Sequence, residues 1–324
     1  MASASGLRAP SNWAAVAQAF APALLLVAIA VGIGVMAPGF ATLSTLAVTL
    51  SDTAVLFVMA AGMTFVIMLG GIDLSVQSVA SFASVLVAEA LPSLGYAAFP
   101  AAVLAGLVAG LLSGYVHVKL RIPSFVATLA TGGVMAGLAL LASGGRTVTI
   151  LEGGRDKAAL VTGSALFGVP NIILIGAAVA AGGAVVQRYT RFGRYSAAIG
   201  SGEPAAWAAG IDVEANKILA FGISGALAAL AGVMLAARLS SGSPSLANQM
   251  LLPTIAAVVV GGTAITGGVG SIGRTVVGAL IVSTVQIGMT FLGVNIFAKQ
   301  IVFGTALIFA VCLTIDRAKM PILK

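Results

Sequence analysis

The chain has 324 residues, of which 60% are hydrophobic and only 8% charged, with a mean hydropathy of +1.13; a soluble domain carries about 25% charged residues. A water-soluble fold is excluded, because it has nowhere to hide so much apolar surface. The formal charge of +7 is read as membrane topology rather than as a nucleic-acid patch, and a single cysteine, Cys312, with a single histidine, His117, excludes a disulfide framework or a Cys/His metal cluster within the chain.

A run of roughly 20 apolar residues crosses a bilayer as a helix. About ten such spans are predicted, at 14–36, 45–70, 74–91, 97–118, 124–143, 168–187, 216–237, 251–265, 272–292 and 297–315. The fold class is all-α and polytopic: a tail at 1–13, a membrane domain over 14–316, and a tail at 317–324. The first run exceeds the apolar core of a signal peptide and has only Arg8 ahead of it, so it is read as a retained span. With the N-terminus inside, the cytoplasmic face collects Arg8, Lys119, Arg121, Arg188, Arg191, Arg194, Lys217, Arg274, Arg317, Lys319 and Lys324. The outer face keeps Arg146, Arg155, Lys157, Arg238 and Lys299. That bias predicts both termini in the cytoplasm.

Charges inside spans are functional candidates. Asp52, in TLSDTAV, either faces a pore or lies near a membrane interface. Asp73 sits in GGIDLSV, residues 70–76, where two glycines interrupt an apolar run. One reading makes Asp73 the cap of the third helix. Another adds a substrate path in which Ser75, Gln77 and Ser78, close to one helical face, bond a hydroxyl-rich solute. Glu89 falls beside the end of a span and is expected in solvent. Gly106, Gly110 and Gly114 recur every four residues and put a smooth packing face on the fourth span. His117 is expected to be an interfacial residue rather than a base.

The outer loop at 143–167 is either a small cap or docking face, or a plain solvated loop. The inner loop at about 188–215 is too polar and too broken by Gly and Pro to span, and is expected to dock a partner. A second interruption, VVVGGTAITGGVGSIGRTVVGALI at 258–281, traps a short apolar stretch between glycine pairs. It contains a formal G-x-G-x-x-G, but the next acid after Gly273 is Asp316, so a dinucleotide site fails. Transporters break helices at corresponding places to line a substrate path. That makes Gly261, Gly262, Gly267 and Gly268 path candidates together with the first break.

The chain resembles the inner-membrane permeases of ribose- and xylose-type sugar ABC importers, a group related to the branched-chain amino acid permeases. The likeness runs from about Leu43 to Asp316 and is carried by AAGMTFVIMLGGIDLSVQSVAS, KLRIPSFVATLAT, AAGIDVEANKILAFGISGALAALAGVMLAARL and IAAVVVGGTAITGGVGSIGRTVVGALI, in that order. The resemblance implies a permease pair (two copies, or this chain with a paralogue), two cytoplasmic ATPase subunits that carry ATP and Mg, and a periplasmic binding protein that delivers the sugar. No G-x-x-x-x-G-K-[ST] occurs here, so this chain is expected to bind no cofactor and to be no enzyme. The resemblance also implies a short coupling helix in the inner loop, with Ile199, Gly200, Glu203, Ala206, Trp207 and Gly210 as its contacts to the ATPase. The chain departs from the family pattern with Ala197 for a Tyr, Gly202 for an Asn, Trp207 for an Arg, Gln77 for a glycine, and Leu251 and Pro253 where acids are usual.

Two other classes compete. An ion-coupled secondary transporter needs a cation-binding carboxylate at mid-membrane, and an intramembrane enzyme needs a nucleophile and a base that the sequence does not pair. Within the importer class the solute is a pentose, a hexose, a polyol, a nucleoside or a furanone-like signal.

Overall fold

The computed structural model describes residues 12–166 and 168–314. The tail residues 1–11 and 315–324, with Arg8, Asp316, Arg317, Lys319 and Lys324, lie outside the described residues. Each of the ten predicted apolar runs coincides with a helix. In chain order these are α1 (Asn12–Met36), α2 (Leu43–Met68), α3 (Val76–Leu94), α4 (Ala98–Lys119) and α5 (Ser124–Ser143). A small helix, α6 (Glu152–Thr162), and then α7 (Asn171–Tyr189) follow. The inner loop forms α8 (Arg191–Ser201) and α9 (Glu203–Ala208), and the last part is α10 (Val213–Leu239), α11 (Leu251–Val260), α12 (Ile272–Phe291) and α13 (Ile296–Thr314).

Six segments among the described residues are long and apolar enough to cross a membrane: Leu43–Met68, Val76–Lys119, Ser124–Ser143, Asn171–Tyr189, Val213–Leu239 and Ile272–Phe291. The second of these is folded in two, because Gly95 takes a positive φ of 58° and turns α3 back into α4, on which it packs. The predicted span 251–265 is shorter in the structure. It stops at Val260, where Gly261 and Gly262 end α11.

α2 and α10 form the centre. Every residue of α2 from Thr53 to Met68 is buried, and α10 packs on α2, α3 and α4. Many of the apolar groups left exposed, among them Leu104, Leu112, Leu129, Leu141 and Val185 on α4, α5 and α7, form the lipid-facing shell that a membrane bundle requires. The glycine face of α4 is turned onto α10: a Cβ added to Gly106 or Gly110 would collide with the carbonyl of Gly225 or Phe221. The contact is therefore backbone to backbone, the close approach that small residues permit between membrane helices.

The outer loop is neither plain nor wholly solvated. Its helix α6 buries Gly154, Ala158 and Val161, and Gly154 faces Ile150 and Leu91 of α3. Two small antiparallel ladders accompany it. β1 (Val148–Thr149) pairs with β4 (Ser241–Gly242), and β2 (Ser164–Leu166) with β3 (Val169–Pro170).

Candidate functional site

Inside a bilayer, irregular backbone survives only where protein supplies its hydrogen bonds. Three irregular segments meet that condition here, two through hydroxyls of a neighbouring helix and one mostly through backbone.

The first follows α2. Gly70, at φ +77°, ends the helix in a Schellman motif: its N–H donates to the Ile67 carbonyl at 2.9 Å, and that of Gly71 to Val66 at 3.0 Å. The chain then runs extended along the start of α5. Ser124 Oγ accepts the Ile72 N–H at 3.1 Å, and Thr128 Oγ1 accepts the Leu74 N–H at 3.0 Å while donating to the Ser124 carbonyl of its own helix at 2.9 Å. Two hydroxyls one turn apart thus replace a missing strand partner. Ser75 arrives beside Gly132, which lies roughly 12 Å along α5 at 1.5 Å per residue. α3 therefore begins well inside the bundle rather than at its end.

Asp73 is 1% exposed. Its Oδ1 accepts the Ser75 N–H at 2.9 Å and the Ser75 hydroxyl at 2.6 Å, and its Oδ2 accepts the Ser224 hydroxyl of α10 at 2.7 Å. No Lys or Arg among the described residues pairs with it. Three donors on two oxygens suit a carboxylate, and they tie the start of α3 to the middle of α10. Ser75 and Ser224 are spent on Asp73, whereas Gln77 and Ser78, on the first turn of α3, are half-buried.

The second irregular segment, 240–250, leads from α10 into α11 and is held by α3. Ser84 Oγ accepts the Ser243 N–H at 3.2 Å, and Ser81 Oγ accepts the Ala247 N–H at 3.0 Å. The third, 261–271, follows α11 and opens with the same Schellman motif as the first: Gly262, at φ +85°, donates to Val259 at 2.8 Å and Thr263 to Val258 at 3.1 Å. From there the partners are mostly backbone. Gly268 N–H donates to the Met68 carbonyl at 2.9 Å, and a Cβ on Gly267 would stand 2.9 Å from the Gly70 nitrogen. Gly261 packs against the Arg274 carbonyl. The two glycine-rich breaks predicted from the sequence, including Gly261, Gly262, Gly267 and Gly268, are thereby brought together at one end of the bundle. Gly267 and Gly268 face neighbouring backbone there.

The same end carries α8 and α9. Ile199 and Ala206 are buried and anchor the two helices, while Trp207 is 74% exposed. Glu203 is exposed and bonds Lys217 of α10 at 2.6 Å, and Lys119 bonds Glu214 across the neighbouring turn. Gly210, at φ +79°, closes α9 with a third Schellman motif, Ile211 N–H donating to Ala206 at 3.1 Å. A groove of about 760 Å³ opens here, lined by Glu203, Trp207, Gly210, Asp212 and Glu214 among others. Gly200 lies apart from this groove, pressed against Met68 and Gly268.

Asp52 is elsewhere. It pairs with Arg238, the penultimate residue of α10, and both side chains are about one-third exposed, at 33% and 31%. His117 bonds the Ile122 carbonyl through Nδ1 at 2.6 Å and stacks edge-on to Phe221, an anchoring role at the end of α4. Glu89 is exposed.

Comparison with known proteins adds an independent line. The family model described as "Branched-chain amino acid transport system / permease component" matches residues 45–311. The ribose import permease protein RbsC of Haemophilus influenzae is 33% identical over 299 residues, covering 91% of each chain. That of Bacillus subtilis is 37% identical over 310 residues, 94% of each. The L-arabinose transport system permease protein AraH of Escherichia coli is 35% identical over 291 residues, 86% of this chain and 84% of its own. No solved structure matches. With a match that spans both breaks, the α8–α9 surface and most of the helical bundle, the chain belongs to the branched-chain amino acid transport system permease component family.

Proposed function

We propose that this chain is the membrane-spanning subunit of an ATP-driven importer for a monosaccharide or a related polyhydroxylated solute. The observation that carries the reading is the near full-length similarity to ribose and arabinose permeases. In this reading the chain has about ten helices in the inner membrane, of which α11 enters without crossing alone, and both termini lie in the cytoplasm. It pairs with a second permease, a copy or a paralogue, and works with two ATPase subunits and a periplasmic binding protein.

The α8–α9 surface receives the ATPase. Its support is physical: an exposed Trp207 beside a groove with acidic walls, carried on helices whose buried faces are anchored by Ile199 and Ala206. An exposed aromatic next to unburied charge is the composition of an interface rather than of a lipid-facing surface. ATP and Mg reside on that partner, and its closure shifts the permease pair between inward- and outward-facing states by binding one of them better. The solute passes along the half-buried Gln77 and Ser78 at the head of α3, with Asp73 and Ser75 shaping that turn, the glycine segments Gly261–Gly262 and Gly267–Gly268 allowing close backbone approach, and Asp52 nearer the far end of α2.

Reconstitution tests this. Proteoliposomes holding the permease and its ATPase, given binding protein and labelled ribose or arabinose, are expected to accumulate sugar only when ATP is enclosed with the ATPase. Uptake driven by an ion gradient without ATP refutes the reading. For the docking surface, Glu203→Arg breaks the bond to Lys217 and reverses charge in the groove, so capture of the ATPase by the tagged permease is expected to fall; undiminished capture removes α9 from the interface.

A further inference from the structure

The loop 261–271 meets the C-terminal end of α8 directly and the corner that precedes α8 through one side chain of α7. At that C-terminal end a Cβ on Gly200 would overlap the Met68 carbonyl oxygen and the Gly268 nitrogen, and one on Gly268 would stand 3.1 Å from the Ser201 Cα. Three backbones, from the ends of α2 and α8 and from the loop 261–271, therefore meet without side chains between them. At the other end the chain turns from α7 into α8 over Thr190, whose Oγ1 accepts the Gly193 N–H at 3.3 Å, and a Cβ on Gly193 would collide with the Gln187 backbone.

Gln187 stands at that corner. Its Nε2 donates to the Gly270 carbonyl at 2.9 Å, its Oε1 accepts the Ile272 N–H at 2.9 Å, and the amide touches Met68 Sδ at 3.4 Å. One side chain thus joins the α7–α8 corner to the loop and to the first residue of α12, beside the end of α2. An amide that both donates and accepts across two residues of one backbone fixes register as well as distance.

We propose that Gln187 is a positioning residue for transport. It locks the glycine loop to the α7–α8 corner, so that a displacement of α8 is passed to α12 through Gly270 and Ile272 and to α2 through Gly268 and Met68. The inference rests on α8 and α9 receiving the ATPase, and it adds the contact that carries the movement inward.

The test uses the assembled transporter, with ATPase and sugar-loaded binding protein, and reads sugar imported per ATP hydrolysed beside the amount of ATPase captured. Gln187→Leu is expected to assemble and keep its basal hydrolysis. Its import per ATP and its stimulation by binding protein should fall by about fivefold or more, the lower range of a coupling between sites. Gln187→Glu keeps the acceptor for Ile272 and loses the donor to Gly270, so its ratio is expected between the two. An unchanged ratio in assembled Gln187→Leu overturns the proposal. Should that variant fail to assemble, Gln187→Glu decides by the same ratio, and failure of both to assemble marks a purely structural residue and also overturns it. Capture that is insensitive to Glu203→Arg counts against the docking surface instead, so the two failures are told apart.

Discussion

The breaks after α2 and after α11 begin alike and end differently. Both open with a glycine pair in a Schellman motif, Gly70–Gly71 and Gly261–Gly262. Past that point the first is held by the side chains of Ser124 and Thr128 and carries a buried carboxylate, whereas the second is held by backbone contacts and by one amide, Gln187, and carries no acid. The first is thus a polar seam fixed between α5 and α10. The second is a backbone junction under α8. Similar sequence punctuation has produced one segment that carries buried polar side chains and another held mostly by backbone.

The strongest way to break this comparison is Asp73→Ala. It leaves two hydroxyls and one N–H buried without their acceptor, each costing about 1–3 kcal/mol if no water replaces it. Sugar import is expected to fall by roughly tenfold or more in a complex that still assembles, as measured by uptake beside affinity capture; loss of assembly with no separate transport defect reduces Asp73 to a structural tie between Ser75, which is itself the N-cap of α3, and Ser224. Next in size is Thr128→Val, nearly isosteric, which strips the acceptor from the Leu74 N–H and should lower stability by about 1–3 kcal/mol, read as the midpoint of thermal unfolding in detergent. An unaltered midpoint means the extended segment does not depend on α5.

Gly70→Ala and Gly262→Ala sharpen the shared part. Both positions need a left-handed backbone, at about 1–2 kcal/mol for an alanine, so equal destabilisation in the same melt is expected. Sharply unequal losses would show that the two motifs bear different loads. The smallest effect belongs to Asp52→Asn, outside both breaks. A one-third exposed ion pair with Arg238 contributes about 1 kcal/mol or less, and a large loss of uptake without loss of stability would move Asp52 into the solute path.

The helices were legible because apolar runs and glycine pairs are local signals. Hydropathy located each helix of the bundle, the doubled glycines marked where α2 and α11 end, and the Gly- and Pro-broken inner stretch marked a non-spanning region that proved to hold α8 and α9. The carboxylate at Asp73 was visible for the same reason: a charge in an apolar run stands out. Its partner Ser224 was not, nor were Ser81, Ser84, Ser124, Thr128 and Gln187. Single hydroxyls and amides within apolar helices are common, and what distinguishes these is a neighbour far away in the chain, 151 residues in the case of Ser224 and Asp73. The order inside the outer loop was hidden too, because α6 earns its place by covering Ile150 and Leu91 rather than by its own mean hydropathy.

The glycine seam between α4 and α10 has a mechanical consequence. Side chains that interdigitate can trade rotamers and let helices slide, but Gly106 and Gly110 lie directly on the carbonyls of Gly225 and Phe221, and no such layer exists between them. α4 and α10 are therefore expected to travel as one strut. In any cycle of opening and closing, relative motion is displaced to the contacts around that strut, and distance probes placed across α4 and α10 should report a constant separation while probes elsewhere change.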